Sequence, residues 1–226
     1  MGSDDIFHKL KQKAKKEKKR EVGKKEPYPK FLIVCEDTVS GYHYLIEAVK
    51  YYRLSSANFC IVGLGQDPLK IVQDAENRYN TEVISYRPDF DQVFCVFDRD
   101  THAHYYNAIS KIESINNKLA KPKPVFIAIT SNPCFEIWLI LHFAYTTKSY
   151  AANQTKTAAN QVVNDLVNHL SNYKKNNSTV FNETVNLLTT AIDNAQKLDE
   201  YCENNLTDVP HTKMGELMTF ISTLKQ

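Results

Sequence analysis

Four short apolar runs, each ending abruptly in polar residues and each followed by a helix-length stretch, constrain this chain more than any other feature. They are KFLIVC (Lys30–Cys35), NFCIVG (Asn58–Gly63), QVFCVF (Gln92–Phe97) and VFIAI (Val125–Ile129). Runs of this length without polar alternation fit strands buried on both faces. Between them, Tyr42, Leu45, Ile46, Val49 and Tyr52 fall at helical spacing. Pro68 opens a second helical stretch ending near Tyr79, and Ala103–Leu119 reads as a third, broken by Pro122 and Pro124. This alternation predicts βαβ units with right-handed crossovers, hence an α/β fold whose mostly parallel, Rossmann-like sheet is flanked by helices.

The chain changes character near Thr130. Pro133–Ala144, PCFEIWLILHFA, reads as one dense apolar helix, and the sequence beyond Thr146 is polar and helix-like. Amphipathic helices are expected over Gln154–Leu170, Asn182–Tyr201 and Thr212–Leu224, with a loop at Ser171–Ser178. The expected organisation is a basic arm over residues 1–29, an α/β domain over 30–145, and a helical C-terminal region over 146–226 that packs on the same domain.

Charge is divided unevenly. Residues 1–30 hold 11 Lys/Arg against 5 Asp/Glu, while the remainder is net acidic. With almost no apolar residue to anchor it, the stretch Lys9–Lys25 is predicted to be a mobile arm suited to tracking a nucleic-acid phosphate backbone, or to serve simply as a solubilising leader. No apolar run approaches the roughly 20 residues that cross a bilayer, so no membrane association is expected. The five cysteines are odd in number and scattered, which fits reduced thiols and a cytoplasmic location. Gly63 and Gly65 lack the lysine of a phosphate-binding P-loop, so the chain is not expected to hydrolyse ATP itself.

In a sheet of this kind, ligands gather beyond the carboxyl ends of the strands. Glu36 follows the first run and Asp98-Arg99-Asp100 closes the third. Spacing of i, i+2 lets Asp98 and Asp100 point to one side, with Arg99 pointing the other way and ion-pairing within the fold. Carboxylates on one rim repel each other unless a cation shares them, which suits Mg²⁺, or Mn²⁺ in its place. Acidic residues also follow strands as turn formers and caps. Glu136, on an otherwise apolar helix, either ligates a second ion or serves helix N-terminal electrostatics. Ser131 and Asn132 cap that helix or touch phosphate. His142 reads as a hydrogen-bonded, partly buried histidine rather than a base, and His102 and His104 as solvent-facing or else as lining the phosphate path near the reaction centre. Lys213 is the candidate for charge stabilisation of a pentavalent phosphate, provided the C-terminal helix folds back over the rim.

The pattern of four apolar residues then Glu, with four apolar residues then Asp-x-Asp later, resembles the Toprim fold shared by topoisomerases, primases and overcoming-lysogenization-defect nucleases. The lysine-rich leader, FLIVCED, VFDRD, SNPCFEIWLILHF (Ser131–Phe143) and HTKMGELM together resemble the RloB family over about residues 9–224. That family is associated with restriction loci and abortive-infection phage defence. The resemblance implies that Glu36, Asp98 and Asp100 hold the metal, and that a separately encoded ATPase is the partner. Where such first strands continue Glu-Gly, this chain has Asp37, which offers another metal oxygen. The expected function is a metal-dependent Toprim-type nuclease acting in antiphage defence on DNA or RNA. One rival is a non-catalytic nucleic-acid-binding or regulatory partner of a defence ATPase. The other is a nucleotidyl-transfer enzyme built on the same carboxylates, for which the sequence supplies no triphosphate cradle.

Overall fold

Every residue of Phe31–Cys35 is buried, which is why that run tolerates no polar side chain; it forms β1, an inner strand. The computed structural model describes residues 29–54, 59–84, 90–99 and 103–224. The basic arm, Asp100 and His102 lie outside the described residues. After β1 come α1 (Ser40–Tyr51), β2 (Phe59–Gly63), α2 (Pro68–Ile84), β3 (Gln92–Asp98), α3 (Tyr105–Leu119) and β4 (Phe126–Asn132). The C-terminal region adds α4 (Glu136–Leu141), α5 (Ala158–Val167), α6 (Val180–Thr184), α7 (Leu188–Asn205), β5 (His211–Thr212) and α8 (Met214–Thr223).

The sheet order is β2-β1-β3-β4-β5, with the first four strands parallel and β5 antiparallel to β4. The chain leaves β1 toward β2 on one side and returns to β3 on the other. The strand order therefore reverses between β1 and β3, where an open α/β sheet leaves a crevice at the carboxyl ends.

Alternation along the strands sorts their side chains into two cores. Leu32, Val34, Val93, Cys95 and Phe97 face α2 and α3, meeting Ile71, Val72, Ala75, Ala108, Ile112 and Ile115. Phe31, Ile33, Cys35, Phe94 and Ile129 face the other way, into a larger core built with α1 and the whole C-terminal region. Phe220 of α8 lies on this face, its ring 4.9 Å from that of Phe31 and 5.1 Å from that of Phe94. The helical region thus shares a core with the sheet.

Three expectations change in detail. Strand β4 runs on through Ser131 and Asn132 because β5 pairs there, Ser131 opposite Thr212 and Asn132 opposite His211. The apolar helix is correspondingly shorter, Glu136–Leu141, and closes through tight bonds from the Phe143 N–H to the Ile140 carbonyl and the His142 N–H to the Leu139 carbonyl. The helix expected over Asn182–Tyr201 is interrupted by a 3₁₀ turn at Val185–Leu187. All six residues of α4 are buried, as a helix apolar on every side must be. Trp138 is fully enclosed, and truncating it to Ala costs about 3–5 kcal/mol.

Candidate active site

Two of the carboxylates singled out in the sequence meet at the crevice between β1 and β3. Glu36 follows β1 directly, and its Oε2 accepts a hydrogen bond of 2.8 Å from the backbone N–H of Asp98, the last residue of β3. Asp98 Oδ2 in turn accepts from the Phe135 N–H at 3.2 Å, which ties the end of β3 to the turn entering α4. In front of them opens a cleft of about 330 Å³ whose lining includes Glu36, Asp37, Asp67, Asp98, Ser131 and Phe135.

The walls of this cleft are fixed by backbone constraints. Gly63 ends β2 against the loop after Glu36, and a Cβ there would stand 2.7 Å from the Asp37 carbonyl oxygen. Gly65 has φ +63° and donates its N–H to the Glu36 carbonyl at 2.7 Å. Asp67 accepts from the Leu69 N–H at 3.1 Å, starting α2 ahead of Pro68. Asp37 does the same for α1, accepting from Gly41 at 3.0 Å and Tyr42 at 3.1 Å. Asp37, which the sequence offers as another metal oxygen, thus also anchors the start of α1 while lining the cleft.

Glu136 lies beside this group rather than in the cleft lining. It is 1 % exposed, and its Oε1 accepts from the Tyr173 hydroxyl at 2.8 Å, with Ser40 Oγ at 3.4 Å and the Lys175 ammonium at 3.7 Å. Ser40 Oγ also reaches the Lys175 carbonyl at 3.3 Å, so the loop Ser171–Ser178 is pinned to the start of α1. A buried carboxylate on an apolar helix needs such partners, because its desolvation is otherwise costly.

Electrostatically the four carboxyl groups act together. Burial, then Glu136 and Glu36, push the Asp98 carboxyl well above its ordinary range. Burial also raises Asp37, with Glu136 adding to it while the Gly41 and Tyr42 amides oppose. Burial pulls the Lys175 ammonium down, but Glu136 together with Cys134, Asp98 and Asp37 more than reverses this, so Lys175 stays charged. Cys134, buried beside Glu136 and Asp98, has its thiol raised well above the usual range first by burial and then by those carboxylates, which leaves it unreactive.

The other sequence candidates have different settings. Lys213 is not brought to the cleft: α8 lies on the sheet face, and the Lys213 ammonium pairs with Asp199 at 3.1 Å and Glu216 at 2.7 Å. Ser131 and Asn132 cap no helix; Ser131 Oγ lies 3.0 Å from Thr212 Oγ1, and Asn132 Nδ2 donates to the Asp208 carbonyl at 2.6 Å. His142 is buried, and burial pushes its pKa down to about 4. Its Nδ1 lies 3.0 Å from the Trp138 carbonyl, so Nδ1 carries the proton and Nε2 accepts from the Tyr44 hydroxyl at 3.2 Å. Arg99 ion-pairs with Asp208, and His104, exposed, stands 3.6 Å from Asp67.

Sequence reasoning missed Tyr173 and Lys175, which lie in SNYKKNNS, a stretch that reads as loop by composition. The usable signal was Glu136 itself, since a buried acid demands a donor from elsewhere in the chain. Among the described residues, no group of three or more His, Cys, Asp or Glu is arranged to hold a metal ion. Glu36 and Asp98 nonetheless fit part of the shell of a hydrated divalent ion: two carboxylates on an open cleft, one of them holding its proton unusually tightly because of burial and its carboxylate neighbours. A family model described as RloB-like protein matches residues 31–221. No curated protein and no solved structure matches the chain.

Proposed function

Because the chain belongs to the RloB-like family over residues 31–221, we propose that it is a metal-dependent Toprim-type nuclease, hydrolysing phosphodiester bonds in nucleic acid as an effector of antiphage defence. The observation that carries this reading is the convergence of Glu36 and Asp98 on one cleft at the strand-order reversal, in a field of carboxylates that raises the Asp98 carboxyl. Such a field favours any divalent cation that enters.

Mg²⁺, or Mn²⁺, would be held by Glu36 and Asp98, with Asp100 a further candidate ligand from the sequence and Glu136 the candidate for a second ion. When bound, the ion supplies an acidified water and positive charge against the phosphoryl oxygens. The chain's own residues do the rest. Glu36 is aimed by its bond from the Asp98 amide, and Asp98 by the Phe135 amide, so both are oriented before any ligand arrives. Lys175 would take the role expected of Lys213: its ammonium pairs with Glu136 beside the cleft, and Ser40 contacts its carbonyl. The basic arm would contribute salt-sensitive backbone contacts, and a separately encoded ATPase would supply nucleotide-dependent control.

Metal binding tests this reading directly. Mn²⁺ titration of the full-length protein should show a site lost in both Glu36→Gln and Asp98→Asn. Its affinity should rise with pH as Asp98 gives up its proton. Equal Mn²⁺ binding by wild type and both variants would remove the basis for the proposal.

A further inference from the structure

Arg99, the residue after Asp98, holds a tyrosine that the fold leaves open to solvent. Tyr106, near the start of α3, is 61 % exposed, unusual for a ring so fully engaged from behind. The Arg99 guanidinium donates from Nη2 to the Tyr106 hydroxyl at 2.6 Å, and its centre lies 5.4 Å from the Tyr106 ring and 5.7 Å from that of Tyr105. Tyr105 meets Tyr106 edge-on at 5.3 Å and packs against Phe97 of β3 at 5.8 Å, so the chain of contacts runs back into the core. Arg99 is itself held by Asp208. It follows Asp98 directly in the chain, and its N–H donates at 2.8 Å to the carbonyl of Ser131, another residue of the cleft wall.

We propose that Tyr106, backed by Arg99 and Tyr105, is a stacking platform for an unpaired base, which makes single-stranded nucleic acid the substrate class of the neighbouring cleft. The inference rests on the reading of that cleft as a phosphodiester site. Bases within a duplex have both faces covered by their neighbours, whereas an unpaired base can lay a face on an open ring, and a guanidinium beside the ring adds cation–π attraction. Holding the ring in advance removes the ordering cost that a free surface tyrosine would incur on binding. Every base has an aromatic face, so the platform selects strandedness and not sequence.

The test is binding of a short labelled oligonucleotide of mixed sequence, as single-stranded DNA, single-stranded RNA and duplex DNA, to the full-length protein with divalent ions chelated. Wild type should prefer both single strands. Tyr106→Ala should weaken single-strand binding by about tenfold and leave duplex binding nearly unchanged, and Tyr106→Trp should restore the preference. A Tyr106→Ala protein that binds all three probes as wild type does, or loses all three equally, overturns the platform. No hydrolysis is involved, so that failure would leave the nuclease reading standing. An intact single-strand preference in a protein whose cleavage is indifferent to Asp98 would overturn the nuclease reading and spare the platform.

Discussion

Asp98 and Asp199 are both partly buried aspartates in clusters that contain a lysine, yet their surroundings drive them in opposite directions. Burial raises Asp199, but His211 at 2.9 Å and Lys213 at 3.1 Å more than offset it, and its carboxyl ends below the ordinary range. Asp98 is raised by burial and then again by Glu136 and Glu36. The Asp199 cluster supplies its own counter-charge where β5 and α8 join α7, which is what a cluster that holds the fold together should do. The Asp98 cluster gathers Glu36, Asp37 and Glu136 close enough to raise Asp98, with Lys175 paired to Glu136 at 3.7 Å. Carboxyl groups that raise one another at a cleft mark function more than stability.

The largest effect expected from this contrast is kinetic. Lys175→Met should lower cleavage by about 100-fold, the usual cost of removing one preorganised charge from a transition state, while Lys213→Met should leave the rate near wild type. Steady-state rates on one nucleic-acid substrate check both, and equal losses would dissolve the distinction. Next in size, Asp199→Ala should destabilise the fold by about 1–2 kcal/mol, between the values for exposed and buried pairs, and lower Tm by about 2–8 °C. Its cleavage rate should stay near that of wild type. Tyr173→Phe removes the 2.8 Å bond to Glu136 and should cost about 1 kcal/mol in urea unfolding, together with a fall in rate as the Lys175 loop loosens.

The smallest effect carries opposite signs at the two aspartates. The folded state holds the Asp98 proton more tightly than the unfolded chain does. Stability from this group is therefore fully present below the ordinary carboxylate range and declines as pH rises through the window up to its raised value. Asp199 does the reverse, contributing stability above the ordinary range that is lost as pH falls through its lowered value. Without metal, Asp98→Asn should therefore raise Tm at neutral pH, and Asp199→Ala should flatten the acid side of the stability profile. A neutral-pH Tm for Asp98→Asn below that of wild type would contradict the raised Asp98 carboxyl.

Much of this was legible in the chain, for physical reasons. Each of the four parallel strands contains an apolar run, and Glu36 and Asp98 follow two of these runs directly, so their positions place both acids at one rim. His142 and Arg99 were likewise readable, one as a buried histidine and the other as an internal ion-pair partner. The two-residue strand His211–Thr212 left no periodic trace, and without it β4 looked shorter and the following helix longer than they are. Lys213 was named from the sequence on the proviso that α8 folds back over the rim. Phe220 packing on Phe31 and Phe94 decides that, and no local pattern encodes it. Lys175 reaches the rim through Tyr173, 37 residues from Glu136 along the chain, in a segment with no apolar period to betray its placement.

The central claim is that the Glu36 and Asp98 cleft cuts phosphodiester bonds with a divalent metal. Its most direct test is cleavage of single- and double-stranded DNA, total RNA and tRNA with Mg²⁺ or Mn²⁺, with and without a neighbouring ATPase, by wild type, Glu36→Ala and Asp98→Ala. The account expects metal-dependent cutting that falls by at least about 1,000-fold in both variants. Substrates left intact by wild type throughout, while salt-sensitive binding persists, would contradict it and identify the protein as a regulatory nucleic-acid-binding module instead.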